Sequence, residues 1–148
     1  MTSRAIDVIS QARTTMDDGS DALDAYQRWF GPIDMQNSLI VLNVFRSIYQ
    51  NLSSSSLQFQ YNHSKNLYAY VYSGTSNLQV WLCKYFWSKA GNSGINSRGG
   101  ILIHELAHYA RQQIGDYQYG TQKSQKLAFD SDVAIYNADN YQFFAESL

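Results

Sequence analysis

The sequence contains a single cysteine, Cys83, and a single proline, Pro32. One cysteine cannot close an intramolecular disulfide, so the fold cannot rest on a disulfide framework, and Cys83 is expected to be a small buried hydrophobic residue. A length of 148 residues is enough for one domain with its own core. We therefore predict a single domain over residues 1–148.

Charge and long apolar runs are also scarce. Charged residues make up 16% of the chain, and the net charge of −1 excludes a basic surface for nucleic acid. No apolar run approaches the length of a membrane span, and residues 1–5 lack the apolar region of a secretory signal peptide. With 45% hydrophobic residues, the chain is expected to be globular.

The stretch His104-Glu105-Leu106-Ala107-His108 reads H-E-x-x-H and follows an apolar run. Residues four apart lie on one face of a helix, so His104 and His108 can hold one Zn²⁺ between them. Glu105 can then accept a proton from a water that the metal activates, which is the chemistry of metal-assisted peptide hydrolysis. The alternative is a surface helix that carries two histidines by chance.

A third ligand decides which class of zinc site this is. No histidine follows the motif, and Arg111 and Ile114 stand where the three-histidine class has glycine and histidine. The only other glutamate, Glu146, lies far downstream, which disfavours a thermolysin-like glutamate ligand. The nearest acid is Asp116, just after Gly115, where the helix is expected to end. We therefore predict Asp116 as the third ligand.

The residues around this acid resemble those of a known family. Asp116-Tyr117-Gln118-Tyr119-Gly120 is similar to the D-x-x-Y-G half of the G-T-x-D-x-x-Y-G signature of the aspzincins, the deuterolysin-type and peptidyl-lysine metalloendopeptidases. Other segments between Trp29 and Leu148 resemble the peptidyl-lysine branch. They are residues 29–31, 68–72, 82–87, 100–105, 137–140 and 144–146.

The resemblance implies a site. It implies one Zn²⁺ per chain, held by His104, His108 and Asp116, with Glu105 as the general base. It also implies Tyr119 as the hydroxyl that stabilises the oxyanion, a role that a neutral phenol near the metal can fill. The alternative for Tyr119 is simple packing, because the chain has twelve tyrosines.

The chain departs from the family pattern in two places. Gln113 and Ile114 replace the family's G-T, and the spacing from histidine to aspartate is one residue shorter, so the turn into Asp116 must take a different path. Lysine-specific members hold the substrate ammonium with two acids; Asp139 matches the first, but neutral Gln142 replaces the second. Lysine preference just after the scissile bond is therefore expected to be weakened. Alternatively, Asp139 caps the last helix.

The order of patterns predicts an α+β, zincin-like fold with N-terminal helices, a small antiparallel sheet, the H-E-x-x-H helix and C-terminal helices. Helices are predicted at residues 6–16, 20–30 (capped by Ser20) and 39–52, strands at 57–61, 67–72 and 78–86, a loop at 91–100, and two or three short helices after Gly120. Residues 78–82 are a candidate edge strand for binding a peptide, and the alternative is an ordinary interior strand.

The function predicted from these residues is zinc-dependent endopeptidase activity on a protein or peptide. Two alternatives remain open: a zinc hydrolase acting on a non-protein amide such as peptidoglycan, and a catalytically idle binding domain of the same fold. The family implies action outside the producing cell, as an exported enzyme or an effector toxin, with a cognate inhibitor or immunity protein as a further partner. A cytoplasmic location is the alternative.

Overall fold

The structure is a computed structural model that describes residues 1–15, 20–72 and 74–148. In these ranges, helices precede a three-stranded sheet, and a central helix and shorter helices follow it. In chain order the elements are α1 (Thr2–Thr14), α2 (Asp21–Phe30), α3 (Met35–Leu52), β1 (Gln58–Asn62), β2 (Ala69–Tyr70), β3 (Gln79–Cys83), α4 (Lys84–Ser88), α5 (Arg98–Ala110), α6 (Thr121–Leu127), α7 (Ser131–Ala134) and α8 (Ala138–Glu146). This order agrees with the predicted α+β layout.

Side-chain caps set the start of α2 and α3. Ser20 Oγ accepts a hydrogen bond from Leu23 N, which is the predicted cap, and Asp34 Oδ1 accepts from two backbone N–H groups in the first turn of α3. Each cap satisfies donors that have no partner within the helix. The predicted first helix also includes Met16, which lies with residues 17–19 outside the described part of the chain.

The sheet is mixed, which corrects the expected antiparallel arrangement. The strand order is β1-β3-β2: β2 pairs antiparallel with β3, whereas β1 pairs parallel with β3. A parallel pair needs a long crossover, and the connection between β1 and β3 provides one because it contains β2. β3 is consequently the central strand, so the interpretation of residues 78–82 as an edge is wrong and the alternative, an interior strand, is confirmed. The two edges are β1 and β2.

The predicted third strand is also too long. β3 ends at Cys83, and the next residues form α4, in which Lys84 N and Tyr85 N donate to the carbonyls of Lys65 and Leu67. A short run of apolar residues does not distinguish a buried helical turn from a strand, so the sequence pattern could not show this boundary. Cys83 is fully buried and forms no disulfide, as expected.

Both predicted bounds of the central helix need correction. α5 begins at Arg98, inside the predicted 91–100 loop, because Ser97 Oγ accepts from Gly100 N and caps the helix. It ends at Ala110 rather than at Gly115, because the backbone turns extended at Arg111 and folds back beneath the helix. This early end brings the following loop to the histidines.

The core lies between α5, α8 and the N-terminal helices. An aromatic cluster at its centre joins α2, α3 and α8 through the rings of Phe30, Phe45, Tyr141 and Phe144. Most of the buried hydrophobic side chains form one connected cluster. Among the described residues, no helix has the length and apolar character that crossing a membrane demands.

Candidate metal centre and active-site cleft

α5 presents its two histidines to one point, as their spacing predicts. The Nε2 atoms of His104 and His108 lie 3.0 Å and 3.4 Å from the same oxygen, Oδ1 of Asp116. The ligand atoms of these three side chains all lie within 4.8 Å of one another. Within the described ranges, this is the one group of three histidine, cysteine or acidic side chains that could share a metal ion.

Asp116 reaches this point because the chain folds back after α5. His108 Nδ1 lies 3.0 Å from the backbone oxygen of Ile114, which anchors the returning segment to the helix. Gly115 then forms two backbone hydrogen bonds with the residues at the start of α8. Its N–H donates to Tyr136 O, and its carbonyl accepts from Ala138 N, each at 3.0 Å. These three contacts fix the backbone immediately before Asp116.

The charges at this point favour a cation. Burial alone would lower the pKa of His104, but the carboxylates of Asp116 and Asp139 outweigh it and raise the pKa to about 10. Burial would raise the pKa of Asp116, yet its contacts with His104 and His108 hold that pKa well below its usual range. The carboxylates therefore stabilise positive charge between the side chains, whether a proton or a metal ion carries it.

The donor set and its spacing fit zinc. Tetrahedral Zn²⁺ with bonds of about 2.0–2.2 Å places neighbouring ligand atoms roughly 3.3 Å apart. The observed separations of 3.0 Å and 3.4 Å are close to that spacing. Two imidazoles and one carboxylate also leave the fourth position open, which is the arrangement of catalytic rather than structural zinc sites.

Glu105 and Tyr119 line the same cleft. Glu105 is 6% exposed, and burial raises the pKa of its carboxyl group, so it holds a proton more readily than a surface glutamate. Tyr119 is 61% exposed; partial burial and the neighbouring Asp116 carboxylate raise the pKa of its phenol well above its ordinary value. Tyr119 is thus a protonated hydrogen-bond donor at neutral pH.

The cleft has a volume of about 830 Å³ and runs between α5, the 112–121 segment, α8 and the strand β2. β2 is an edge strand, since it pairs with β3 on one side. Glu105, Asp116 and Asp139 line the cleft, and none of the described residues that line it is a lysine or an arginine. The cleft therefore favours cationic groups, and its strand edge can accept an extended backbone.

Comparison with known proteins identifies the family. A family model described as lysine-specific metallo-endopeptidase, the aspzincins, matches residues 15–146. The chain belongs to the aspzincin family. Membership carries a zinc cofactor, as expected from the sequence, and the three ligand atoms described above suit it.

Individual aspzincin relatives agree with this assignment. The chain is similar to a peptidyl-Lys metalloendopeptidase of Armillaria mellea (35% identity over 127 residues) and to an extracellular protease of Aeromonas hydrophila (34% over 124 residues). Each match covers 82% of this chain, and the chain spans 35% of the length of each relative. A zinc peptidase structure from Grifola frondosa superposes with a TM-score of 0.75 at 30% identity, covering 99% of this chain and 90% of that one. This superposition confirms the α+β zincin-like fold.

Asp139 lines the cleft, and the alternative interpretation of Asp139 as a helix cap is wrong. It does not cap α8: the N-cap residue is Asn137, and no side chain makes a capping hydrogen bond there. Instead, Asp139 Oδ1 lies 2.7 Å from His104 Nδ1, and Asp139 Oδ2 accepts from Gly120 N at 2.7 Å. The three polar residues Asn137, Asp139 and Asn140 were the available signal, since such side chains often bond to backbone groups.

Sequence reasoning also missed the role of Glu146. Glu146 Oε1 accepts from both the N–H and the hydroxyl of Ser97, at 2.9 Å and 3.0 Å, and so anchors the N-terminus of α5. Gln142, one turn earlier in α8, lines the cleft and donates to Asn96 Oδ1 and Glu146 Oε1. Glu146 is therefore a structural anchor rather than a metal ligand.

Proposed function

We propose that this chain is a zinc-dependent endopeptidase with His104, His108 and Asp116 as ligands, Glu105 as the general base and Tyr119 as the oxyanion donor. The observation that carries the proposal is the convergence of three ligand atoms within 4.8 Å beside a buried glutamate in an open cleft. Family membership supports it, because the matching family is described as a lysine-specific metallo-endopeptidase.

The protein's own side chains supply the proton transfers. When bound, zinc would act as a Lewis acid that lowers the pKa of a water molecule and polarises the scissile carbonyl. A carboxylate oxygen of Glu105 accepts the proton of the attacking water and later delivers it to the leaving amine, a double role that its raised pKa suits. The Tyr119 hydroxyl donates a hydrogen bond to the developing oxyanion.

The substrate backbone is proposed to lie along β2. That strand borders the cleft and, among the described strands, pairs on one side only, so an extended peptide can add to its other side by main-chain hydrogen bonds. Such a peptide passes α5 with its carbonyl groups near the ligand atoms. This placement replaces the strand at residues 78–82, which is interior.

We propose a preference for lysine just after the scissile bond, with Asp139 contributing charge. The acidic cleft without lysine or arginine supports a cationic side chain at this position. Gln142 supplies an amide where a second acid would strengthen the preference, so enrichment for lysine is expected to be partial. The names of the peptidyl-Lys metalloendopeptidase relatives also support a preference for lysine.

The experiment is cut-site mapping on a denatured protein with zinc-loaded enzyme. Cuts that are lost with a chelator and enriched before lysine are expected. A catalytically idle domain would make no cuts, and a peptidoglycan amidase would leave protein intact while releasing amines from peptidoglycan. The Glu105→Gln variant, prepared in the same way, measures the cutting that does not come from this site.

Action outside the producing cell is proposed as well. The relative from Aeromonas hydrophila is named an extracellular protease, which supports export. Finding the protein and its activity in the producing cells' medium would agree with this proposal, and strict retention in the cytoplasm would contradict it. An inhibitor or immunity protein as partner stays a prediction.

A further inference from the structure

Asp139 connects two parts of the cleft. It is 5% exposed, and its two carboxylate oxygens contact different segments: Oδ1 lies 2.7 Å from His104 Nδ1, and Oδ2 accepts from Gly120 N at 2.7 Å. The His104 Nδ1 atom is fully buried and Asp139 is its charged neighbour, in a contact bent away from a straight hydrogen bond. A single buried side chain thus contacts a metal-ligand histidine and the backbone next to Tyr119.

The neighbours of Asp139 hold the same loop. Asn137 Oδ1 accepts from Gln118 N at 2.9 Å. The N–H groups of Gln118 and Gly120 therefore both donate to side chains at the start of α8. Asn137 is itself fixed by Asn140, to whose Oδ1 it donates at 2.7 Å. Asn140 in turn donates to backbone oxygens of α2 and α6, and all of these side chains are buried. The start of α8 is therefore a rigid frame for the loop that carries Asp116 and Tyr119.

We infer that Asp139 is a positioning residue that holds His104 with Nε2 toward the metal and fixes the Tyr119 loop against α5. This inference rests on the proposed function. A carboxylate that accepts the outer N–H of a ligand histidine fixes the ring and its tautomer and increases its basicity. His108 has a weaker acceptor in this position, the neutral backbone oxygen of Ile114.

Asparagine at this position tests the inference. Its side chain has one acceptor oxygen, whereas Asp139 serves two donors, so either His104 Nδ1 or Gly120 N must lose its partner. We expect Asp139→Asn to weaken zinc affinity about 10–100-fold, measured by competition with a chromophoric chelator. Turnover of neutral substrates at saturating zinc should fall because the change alters the centre, and turnover of lysine substrates should fall further because the charge proposed for lysine preference is also lost.

Gln142→Met is the matched control. Gln142 lies one turn further along α8, is also buried and lines the same cleft, but its amide donates to Asn96 and Glu146. We expect this variant to keep wild-type zinc affinity. Thermal unfolding of the zinc-free proteins should show that both variants fold.

A measurement on the unaltered protein covers the case in which Asp139→Asn does not fold. Long-range ¹⁵N–¹H NMR of the zinc-loaded protein should show His104 protonated at Nδ1 with a slowly exchanging proton. Unchanged zinc affinity in Asp139→Asn, or a His104 proton on Nε2, would overturn the inference. A wild-type protein that neither binds zinc nor cuts protein would instead overturn the proposed function.

Discussion

The cleft has two walls that are built in different ways. The helical wall is α5, whose His104 and His108 share one face because they are four residues apart, with Glu105 beside them; all three line the cleft. The loop wall is residues 111–120, which carry Asp116 and Tyr119 without regular structure. The loop wall is held by hydrogen bonds from α8, about twenty residues further along the chain.

This difference separates local from tertiary control. Helix geometry alone aligns the side chains of the helical wall, so their arrangement does not depend on contacts with another segment. The loop wall keeps its shape because the buried side chains of Asn137 and Asp139, at the start of α8, accept hydrogen bonds from the N–H groups of Gln118 and Gly120. Two polar contacts also join α8 to α5 and its N-cap residue: Asp139 contacts His104, and Glu146 accepts from Ser97. The last helix therefore sets the distance between the two walls.

Removing one metal ligand from either wall is expected to cause the largest loss of bound zinc and of proteolytic activity. His108→Ala and Asp116→Ala should each reduce bound zinc to well below one per chain and reduce proteolysis to background, because two ligands hold zinc poorly. Metal analysis after dialysis measures this loss. His63→Ala, which alters the remaining histidine outside the cleft, should retain its zinc. Full zinc content in either ligand variant would contradict the assignment.

Glu105→Gln separates chemistry from binding within the helical wall. The amide cannot accept the proton of the attacking water, so kcat should fall about 10²–10⁴-fold while zinc content stays at one per chain. Steady-state kinetics with a peptide substrate and metal analysis on the same sample check both parts. Activity within a few-fold of the wild type would remove Glu105 from the mechanism.

Tyr119→Phe tests the loop wall in the same way. Loss of the hydroxyl should lower kcat about 10²-fold with little change in KM, because the hydrogen bond forms only as charge develops. Tyr117→Phe is the matched control: Tyr117 is also exposed, lies in the same loop, and donates to the Gln113 carbonyl rather than toward the cleft. Equal losses in the two variants would show that the effect is structural.

Gly100→Ala probes the second link between α8 and α5. A Cβ at this position would overlap the Glu146 carboxylate, so the anchor on Ser97 must shift. We expect a loss of about 1–3 kcal/mol in the free energy of unfolding, measured with urea. Gly99→Ala provides the contrast, since its Cβ meets only the flexible end of Met1, and alanine ordinarily stabilises a helix. Equal free energies of unfolding for the two variants would contradict the role of Glu146 as an anchor for Ser97.

The two walls also differ in how far the sequence predicts them. The spacing of His104 and His108 predicts the helical wall because periodicity is local. Asp116 could be inferred as the nearest acid, and Tyr119 from family resemblance. The end of α5 at Ala110 and the contact of Asp139 with His104 could not be predicted, because both involve segments that are far apart in the sequence. The parallel pairing of β1 with β3 was missed for the same reason, since strand order is not encoded in alternation.

The central claim is that the two walls hold one zinc ion between them. A crystal of the zinc-loaded protein, measured on both sides of the zinc absorption edge, tests it most directly. The account predicts a single anomalous peak within bonding distance of His104 Nε2, His108 Nε2 and Asp116 Oδ1. A peak bound by the helical wall alone, or one at a different site, would contradict it.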